Sequence, residues 1–223
     1  MKKWLKCDLH IHTSEDKKDK DDGTNISFSA IDLINVMSKD NFDVLAISLH
    51  DRIFFNKKIE AYAKQKGILL IPSIEKTIEG GHVIFLNISS PLKNIRKLED
   101  VLLLPKKVIV LIPHPFYPFA HSIGKRLVEI THRLDAIEIH SQYFWFSKIF
   151  NHRAKKAAKR ENKTLVGNSD AHIPQQLGRT YSLIYAEKNA LSIGKAIRNN
   201  KVKGITKPLR FFKSIKEFIQ TKF

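Results

Sequence analysis

The sequence lacks several features that often identify a protein class. Cys7 is its only cysteine, so it can form neither an intramolecular disulfide nor a CxxC metal knuckle. No apolar run approaches the ~18 residues needed to cross a bilayer. Residues 1–6 also lack the apolar stretch of a signal peptide. These absences predict a cytoplasmic protein in a reducing compartment, with no membrane partner.

Common catalytic motifs are missing as well. There is no G-x-S-x-G elbow that would present a serine nucleophile, and no G-x-x-x-x-G-K-[ST] loop that would cradle nucleotide phosphates. No motif pairs the cysteine with a base. If the protein is an enzyme, its chemistry must come from another kind of site.

Acidic residues are scarce relative to basic ones, which gives a net charge of +17. A strongly cationic surface attracts polyanions, so nucleic acid or a phosphorylated molecule is the expected partner. The basic residues are nevertheless spread along the chain, as solvated helix faces would also require. The charge alone therefore leaves both interpretations open.

Three short histidine-bearing segments follow or end apolar runs, at residues 8–12, 48–51 and 168–172. His10 and His12 are two residues apart and so point to the same side of a strand. Asp170 and His172 repeat this spacing, and His50 ends the run at residues 44–47. A single pair would be as consistent with core or solvated histidines, but three such strand ends indicate a metal site.

Three further side chains follow the same rule of position. Glu75 comes after the apolar run at residues 68–72, His82 opens the run at 82–86, and His114 ends the run at 108–113. Carboxylate and imidazole together favour zinc, manganese or iron, and a carboxylate can bridge two ions. Glu75 is the bridging candidate.

The chain is of a length typical of a single domain, here residues 1–223, and strand-like runs alternate with helix-like stretches. Ser29 is a candidate N-cap for a helix before the strand at Val44, and another helix is expected at about residues 150–161. This alternation predicts an α/β fold with a parallel sheet. His140, which follows the run at 136–139, and His121 are candidates to line the pocket, where either could serve as general acid.

Six motifs, in order, give the chain its family resemblance: DLHIHT, LAISLHD, IPSIE, GGHVIFL, IPHPF and GNSDAH. They resemble the PHP (polymerase and histidinol phosphatase) superfamily of metal-dependent phosphoesterases over nearly the whole chain. The resemblance implies a distorted (β/α)7 TIM-like barrel with two to three divalent ions at the carboxyl ends of its strands. The implied ligand sets are His10, His12, Glu75 and Asp170 for one ion, Glu75, His82 and His114 for a second, and His50, His172 and an acidic residue for a third.

Two positions depart from the family pattern. Lys17 stands where the family has an acidic residue or histidine for the third ion, so Asp16 is the first choice for that ligand and Asp22 the second. Leu49 stands where the family commonly has an aspartate that supports the following histidine. Asp51 is the candidate substitute.

The resemblance implies hydrolysis of a phosphomonoester by metal-activated water, as in the histidinol-phosphatase branch. The expected catalytic residues are Glu75, His140 and Arg179, with Arg179 or Arg52 holding a phosphate through two hydrogen bonds. The alternative function is a PHP-type nuclease that trims short RNA or DNA. A non-enzymatic binding protein with a decayed site is the third interpretation, and the nearly complete ligand set argues against it.

Overall fold

A computed structural model describes residues 1–90, 92–118, 121–139 and 148–207. The strands are β1 (Lys3–Ile11), β2 (Val44–Ile47), β3 (Leu69–Leu70), β4 (Ser73–Ile78), β5 (Gly81–Leu86), β6 (Ile109–Ile112), β7 (Ala136–Ile139), β8 (Thr164–Gly167), β9 (Thr180–Ala186) and β10 (Val202–Thr206). The helices are α1 (Lys17–Asp21), α2 (Ala30–Lys39), α3 (Lys57–Gln65), α4 (Lys148–Arg160) and α5 (Ala190–Arg198). Short 3₁₀ turns cover Leu98–Leu103, Gly124–Ile130 and Pro174–Gln176.

The ten strands form two mixed sheets of five strands each. One sheet has the order β10-β9-β1-β2-β3 and the other β4-β5-β6-β7-β8. The expected closed (β/α)7 barrel is therefore wrong for the described residues. The two sheets meet through single bridges, His50 with Glu75 and Ile11 with Ala171, rather than through a continuous ladder.

Antiparallel pairings replace the strictly parallel strand pattern of a (β/α) barrel, at β4–β5, β5–β6, β1–β9 and β9–β10. β4 and β5 are joined by Glu79 and Gly80, both with positive φ, which is the conformation of a tight hairpin turn. A two-residue turn leaves no room for the crossover helix that parallel strands require. β9 likewise pairs antiparallel with β1.

The parallel strands set the position of the polar side chains. β1, β2 and β3 run parallel in one sheet, and β6, β7 and β8 run parallel in the other. Their side chains fill apolar clusters in which Leu9, Val44, Leu111 and Val166 are fully buried. The ends of β1, β2, β6 and β8, with the residues just after them, carry most of the cluster's histidines, so this end of the fold is where a site can form.

The local predictions for helices are confirmed. Ser29 Oγ caps α2 by accepting a hydrogen bond from the Asp32 backbone N–H, and the Asp32 carboxylate accepts one from the Ser29 backbone N–H, so the two form a capping box. The helix expected near residues 150–161 is α4.

No helix in the described ranges is long and apolar enough to span a bilayer. His140 lies outside the described residues.

The close contact between β8 and the β9–β10 pair generates a prediction about stability. A Cβ on Gly167 would lie 2.9 Å from the Tyr181 carbonyl oxygen and 3.4 Å from Gly204 Cα. Gly167→Ala should therefore lower the free energy of unfolding by about 1–3 kcal/mol, because backbone must move to admit the methyl group. Thermal unfolding measures this, with exposed Lys156→Ala as control. An unchanged Tm would show that the contact is looser than the structure indicates.

Candidate metal centre

Glu75 lies at the centre of the candidate site and is almost completely buried. Its Oε2 is 3.2–3.4 Å from ring nitrogens of three histidines, and its Oε1 is 2.8–3.3 Å from those of two more. The five are His10, His12 and His50 around Oε2, and His82 and His114 around Oε1. Each carboxylate oxygen thus faces a separate group of imidazoles, as a bridging ligand would.

Strand geometry explains why these side chains converge. His10 and His12 are on the same side of β1, and the Nε2 atoms of the two rings are 3.2 Å apart. Asp170 Oδ1 is 3.2 Å from His10 Nε2 and 3.4 Å from His12 Nε2. Tetrahedral ligands at ~2.1 Å from an ion are about 3.4 Å from one another. The separations in this cluster are therefore those of a metal-ligand set.

The residues present fit divalent ions. Four combinations of three or four side chains bring their ligand atoms within 4.8 Å of one another. These are His10 with His12 and Asp170, His10 with Glu75 and His114, His50 with Glu75 and His82, and His12 with Asp16, Asp19 and His50. His82 Nε2 is buried and has no hydrogen-bond partner among the described residues. A bound ion would satisfy that lone pair.

Glu138 holds the ring of His10 from behind. Its Oε2 is 3.0 Å from His10 Nδ1 and accepts a hydrogen bond of 2.9 Å from Asn168 Nδ2. A carboxylate on Nδ1 fixes the tautomer that leaves Nε2 free to bind a metal. Asn168 is itself fixed, because its Oδ1 accepts from the Leu9 backbone N–H. Glu138 thus supports the site without facing it.

The acidic loop after β1 contributes two carboxylates. Asp16 Oδ2 is 3.1 Å from both His12 Nδ1 and His50 Nδ1, and it accepts a 2.8 Å hydrogen bond from the His50 backbone N–H. Asp19 is 3.7 Å from both His50 Nδ1 and His172 Nε2. Asp16 therefore orients the rings of His12 and His50. Asp19 lies between His50 and His172, the two histidines of the expected third site.

The two departures from the family pattern have structural counterparts. Leu49 is fully buried, and His50 receives its support from Asp16. The Asp51 carboxylate turns away from His50, because it accepts hydrogen bonds from the Thr77 backbone N–H and from Lys18 Nζ. Lys17 and Asp22, the second-choice ligand, are both exposed.

Two ligand candidates have unusual backbone geometry. His114 has φ of 26° and Asp170 has φ of 46°, in the left-handed region that few non-glycine residues adopt. Such conformations persist where the surroundings enforce them, and they concentrate at functional sites. The Asp170 N–H donates to the His10 carbonyl, which ties the two strand ends together.

The charges in the cluster stabilise each other. Burial would raise the pKa of Glu75, but the charges of His82 and His10, together with hydrogen bonds from His10 and His114, hold that pKa well below its usual value. Burial would lower the pKa of His12, and hydrogen bonds to Asp16 and Asp170 raise it above its usual value. Without metal, proton binding by His10 and His12, whose pKa values are raised, would compensate the carboxylates. A divalent ion can take over that role.

The expected phosphate and proton-transfer groups are only partly in contact with the cluster. His121 lies at its edge, with its ring 5.0 Å from that of His82. Arg52 donates to the Glu15 carbonyl. Arg179 donates through Nε to the Gln175 carbonyl, and no hydrogen bond or ion pair within the described ranges joins it to the histidines. Its phosphate-binding role stays a prediction.

Sequence reasoning overlooked Asp19 and Glu138 as site residues. In the sequence, Asp19 is one of several acidic residues in a polar segment, and its spacing from the histidines does not distinguish it from the others. Glu138 did carry a signal, since it interrupts the four-residue apolar strand β7. A buried carboxylate is costly unless it is paired, so its position could have identified it.

The comparisons with known proteins agree with this fold. The PHP-associated family model matches residues 148–202. A two-domain protein from Bacteroides vulgatus containing a predicted PHP-like metal-dependent phosphoesterase is 20% identical, with TM-score 0.70 over 92% of this chain. The chain spans 65% of that protein's length. No curated protein matches the sequence.

Two further solved structures are similar. PsfC from Pseudomonas syringae is 13% identical, with TM-score 0.63 over 98% of this chain and 96% of its own. An amidohydrolase from Chromobacterium violaceum with bound sulfate and no metal is 15% identical, with TM-score 0.51 over 75% and 88%. At these identities the similarity establishes the fold. Together with the family-model match, it confirms the resemblance to the PHP superfamily.

The position of Glu75 between two groups of imidazoles predicts its effect on metal content. Glu75→Gln should remove most metal from two sites, because an amide cannot bridge two ions as a carboxylate does. Metal analysis of the purified protein measures this, and exposed Lys156→Ala should retain all bound metal. A fully metallated Glu75→Gln protein would refute the bridging role.

The position of Asp19 between His50 and His172 predicts a difference between two neighbouring acids. Asp19→Asn should weaken binding of the third ion by about 10–100-fold, whereas exposed Asp22→Asn, in the same loop, should not. Manganese titration followed by calorimetry compares the two variants. Equal affinities, or a larger loss for Asp22→Asn, would contradict the assignment of Asp19.

Proposed function

We propose that the protein is a metal-dependent phosphoesterase that hydrolyses a phosphomonoester. The observation that carries this proposal is the Glu75 carboxylate between five imidazoles, with Asp170 completing the cluster. Sites that hold two or more ions through a bridging carboxylate are suited to phosphoryl transfer. The PHP-like phosphoesterase in the similar Bacteroides vulgatus protein supports the same reaction class.

Divalent ions bound here would lower the pKa of water towards neutrality and neutralise charge on the phosphate oxygens. The side chains of the protein hold the candidate metal ligands in position. Glu138 holds His10, and Asp16 holds His12 and His50, so that the Nε2 atoms of all three rings face Glu75. These contacts fix the cluster before substrate arrives, which is the condition for electrostatic catalysis.

A covalent cysteine mechanism does not fit the structure. Cys7 is fully buried, and burial together with the nearby charge of Asp43 raises the pKa of its thiol well above its usual value. The thiol therefore stays protonated and is a poor nucleophile. Direct attack by water on the phosphate is the consistent alternative.

The exposed side of the cluster indicates where substrate binds. The His172 side chain is 22% exposed, whereas His10 is fully buried, so the cluster opens towards His172 and His50. Lys18 donates to Thr77 Oγ1 and pairs with Asp51, the residue after His50. A phosphate group can enter at this edge, while the buried side holds the ions.

A nuclease that trims short RNA or DNA is the second candidate. The net charge of +17 favours it, since a cationic surface attracts polyanions and a small phosphomonoester does not need one. Salt dependence separates the two functions. Hydrolysis of an oligonucleotide should weaken steeply as salt rises, and hydrolysis of a monoester only mildly.

The proposal is tested by hydrolysis of a small panel. The substrates are p-nitrophenyl phosphate, its bis-ester, histidinol phosphate, and 5′-labelled RNA and DNA oligomers, each with manganese and then with chelator. We expect metal-dependent release of phosphate from the monoesters and loss of activity in Glu75→Gln. Stepwise shortening of oligomers would favour the nuclease. Inactivity on the whole panel by a protein that binds no metal would refute both.

A further inference from the structure

A pair of exposed aromatic rings lies on the outer face of the β10-β9-β1 sheet. Trp4 and Tyr185 are directly opposite in the β1–β9 ladder, with ring centroids 5.5 Å apart, and they are 44% and 41% exposed. Lys203 Nζ lies 4.6 Å from the Trp4 ring. We call Trp4, Tyr185 and Lys203 the aromatic face. It combines large exposed rings with a cation, as surfaces that stack nucleic-acid bases do.

Core packing does not account for these rings. Leu5 and Ile184, the adjacent residues on the same strands, are fully buried on the opposite side of the sheet. Trp4 and Tyr185 therefore point outward by strand alternation. Two adjacent aromatic rings that stay exposed beside a cation are typical of a binding surface, and they contribute little to the hydrophobic core.

A basic cavity of about 370 Å³ adjoins the aromatic face, with Tyr185 in its wall. Lys2, Lys195 and Lys201 line it, and no carboxylate does. None of the three makes an ion pair within the described part of the chain. The nearby lysines Lys3 and Lys188, in contrast, are both paired with Asp43. The cavity thus has uncompensated positive charge, which favours phosphate.

A third ring on the same face continues the pattern. Tyr181 is four residues before Tyr185 on β9, so both point outward, about 13 Å apart. Lys6 Nζ lies 4.8 Å from the Tyr181 ring and 4.1 Å from the Phe42 ring. Lysines of β1 and β10 therefore lie beside the aromatic rings of this face.

We propose that the aromatic face and the basic cavity bind single-stranded nucleic acid. Unpaired bases stack on Trp4 and Tyr185, and the phosphates contact Lys2, Lys195 and Lys201. A duplex fits less well, because its base faces are stacked inside the helix. Trp4 is six residues before His10 on β1, or ~20 Å away, so this surface is separate from the metal centre. The proposal goes beyond the proposed function and does not depend on which ester is hydrolysed.

The test is fluorescence anisotropy with labelled ten-nucleotide oligothymidylate and oligouridylate, in chelator so that no hydrolysis occurs. Trp4→Ala and Tyr185→Ala should each weaken binding about 5- to 100-fold, because each removes a stacking ring. Lys201→Glu should weaken binding and make it less dependent on salt. Lys156→Glu, a matched charge reversal on α4, should leave affinity unchanged. Trp4→Ala should hydrolyse p-nitrophenyl phosphate with manganese as the parent does, which separates this result from the catalytic proposal.

Three outcomes would overturn the proposal. The first is unchanged oligonucleotide affinity in Trp4→Ala and Lys201→Glu variants that melt at the parent Tm. The second is binding to phosphatidylserine vesicles without binding to oligonucleotides, which would assign the surface to an anionic membrane. The third is a dimer in sedimentation that Trp4→Ala dissociates without any oligonucleotide binding, which would assign it to a second copy of the chain.

Discussion

The structure depends on the mutual compensation of buried charges around Glu75. An isolated carboxylate in the interior would be strongly destabilising, and Glu138 and Asp16 are buried there as well. Each is stabilised because imidazoles from other strands lie within hydrogen-bonding distance. The strand ends that supply those imidazoles must therefore keep their register. The site and the packing at this end of the fold are the same set of interactions.

The hairpin between β4 and β5 brings two of the required groups to the site. Glu75 is on β4 and His82 on β5, and the tight turn at Glu79 and Gly80 folds the second strand back on the first. Glu75 Oε1 is consequently 2.8 Å from His82 Nδ1. A strand followed by a helix would have carried His82 away. The local departure from alternating strands and helices is thus what completes the cluster.

Acidic and basic residues are separated in space. Asp16, Asp19, Glu75, Glu138 and Asp170 are drawn into the buried cluster. This leaves fewer acids on the surface to neutralise the lysines of a chain that already has a net charge of +17. The uncompensated lysines beside Tyr185 are one result. A metal centre rich in carboxylates and a cationic outer surface thus come from the same distribution of residues.

The sequence by itself indicated which side chains would meet as a candidate metal site. The i, i+2 spacing in β1 and the positions of His50, His114 and Asp170 at the ends of apolar runs were sufficient, because alternation and burial are local properties. The helix capped by Ser29 was predictable for the same reason. The position of Asp19 beside His50 and His172, the contact of Glu138 with His10, and the two mixed sheets in place of a barrel were decided only by the tertiary structure. Each of these depends on contacts between residues far apart in the chain, and spacing along the sequence does not fix which distant strands meet.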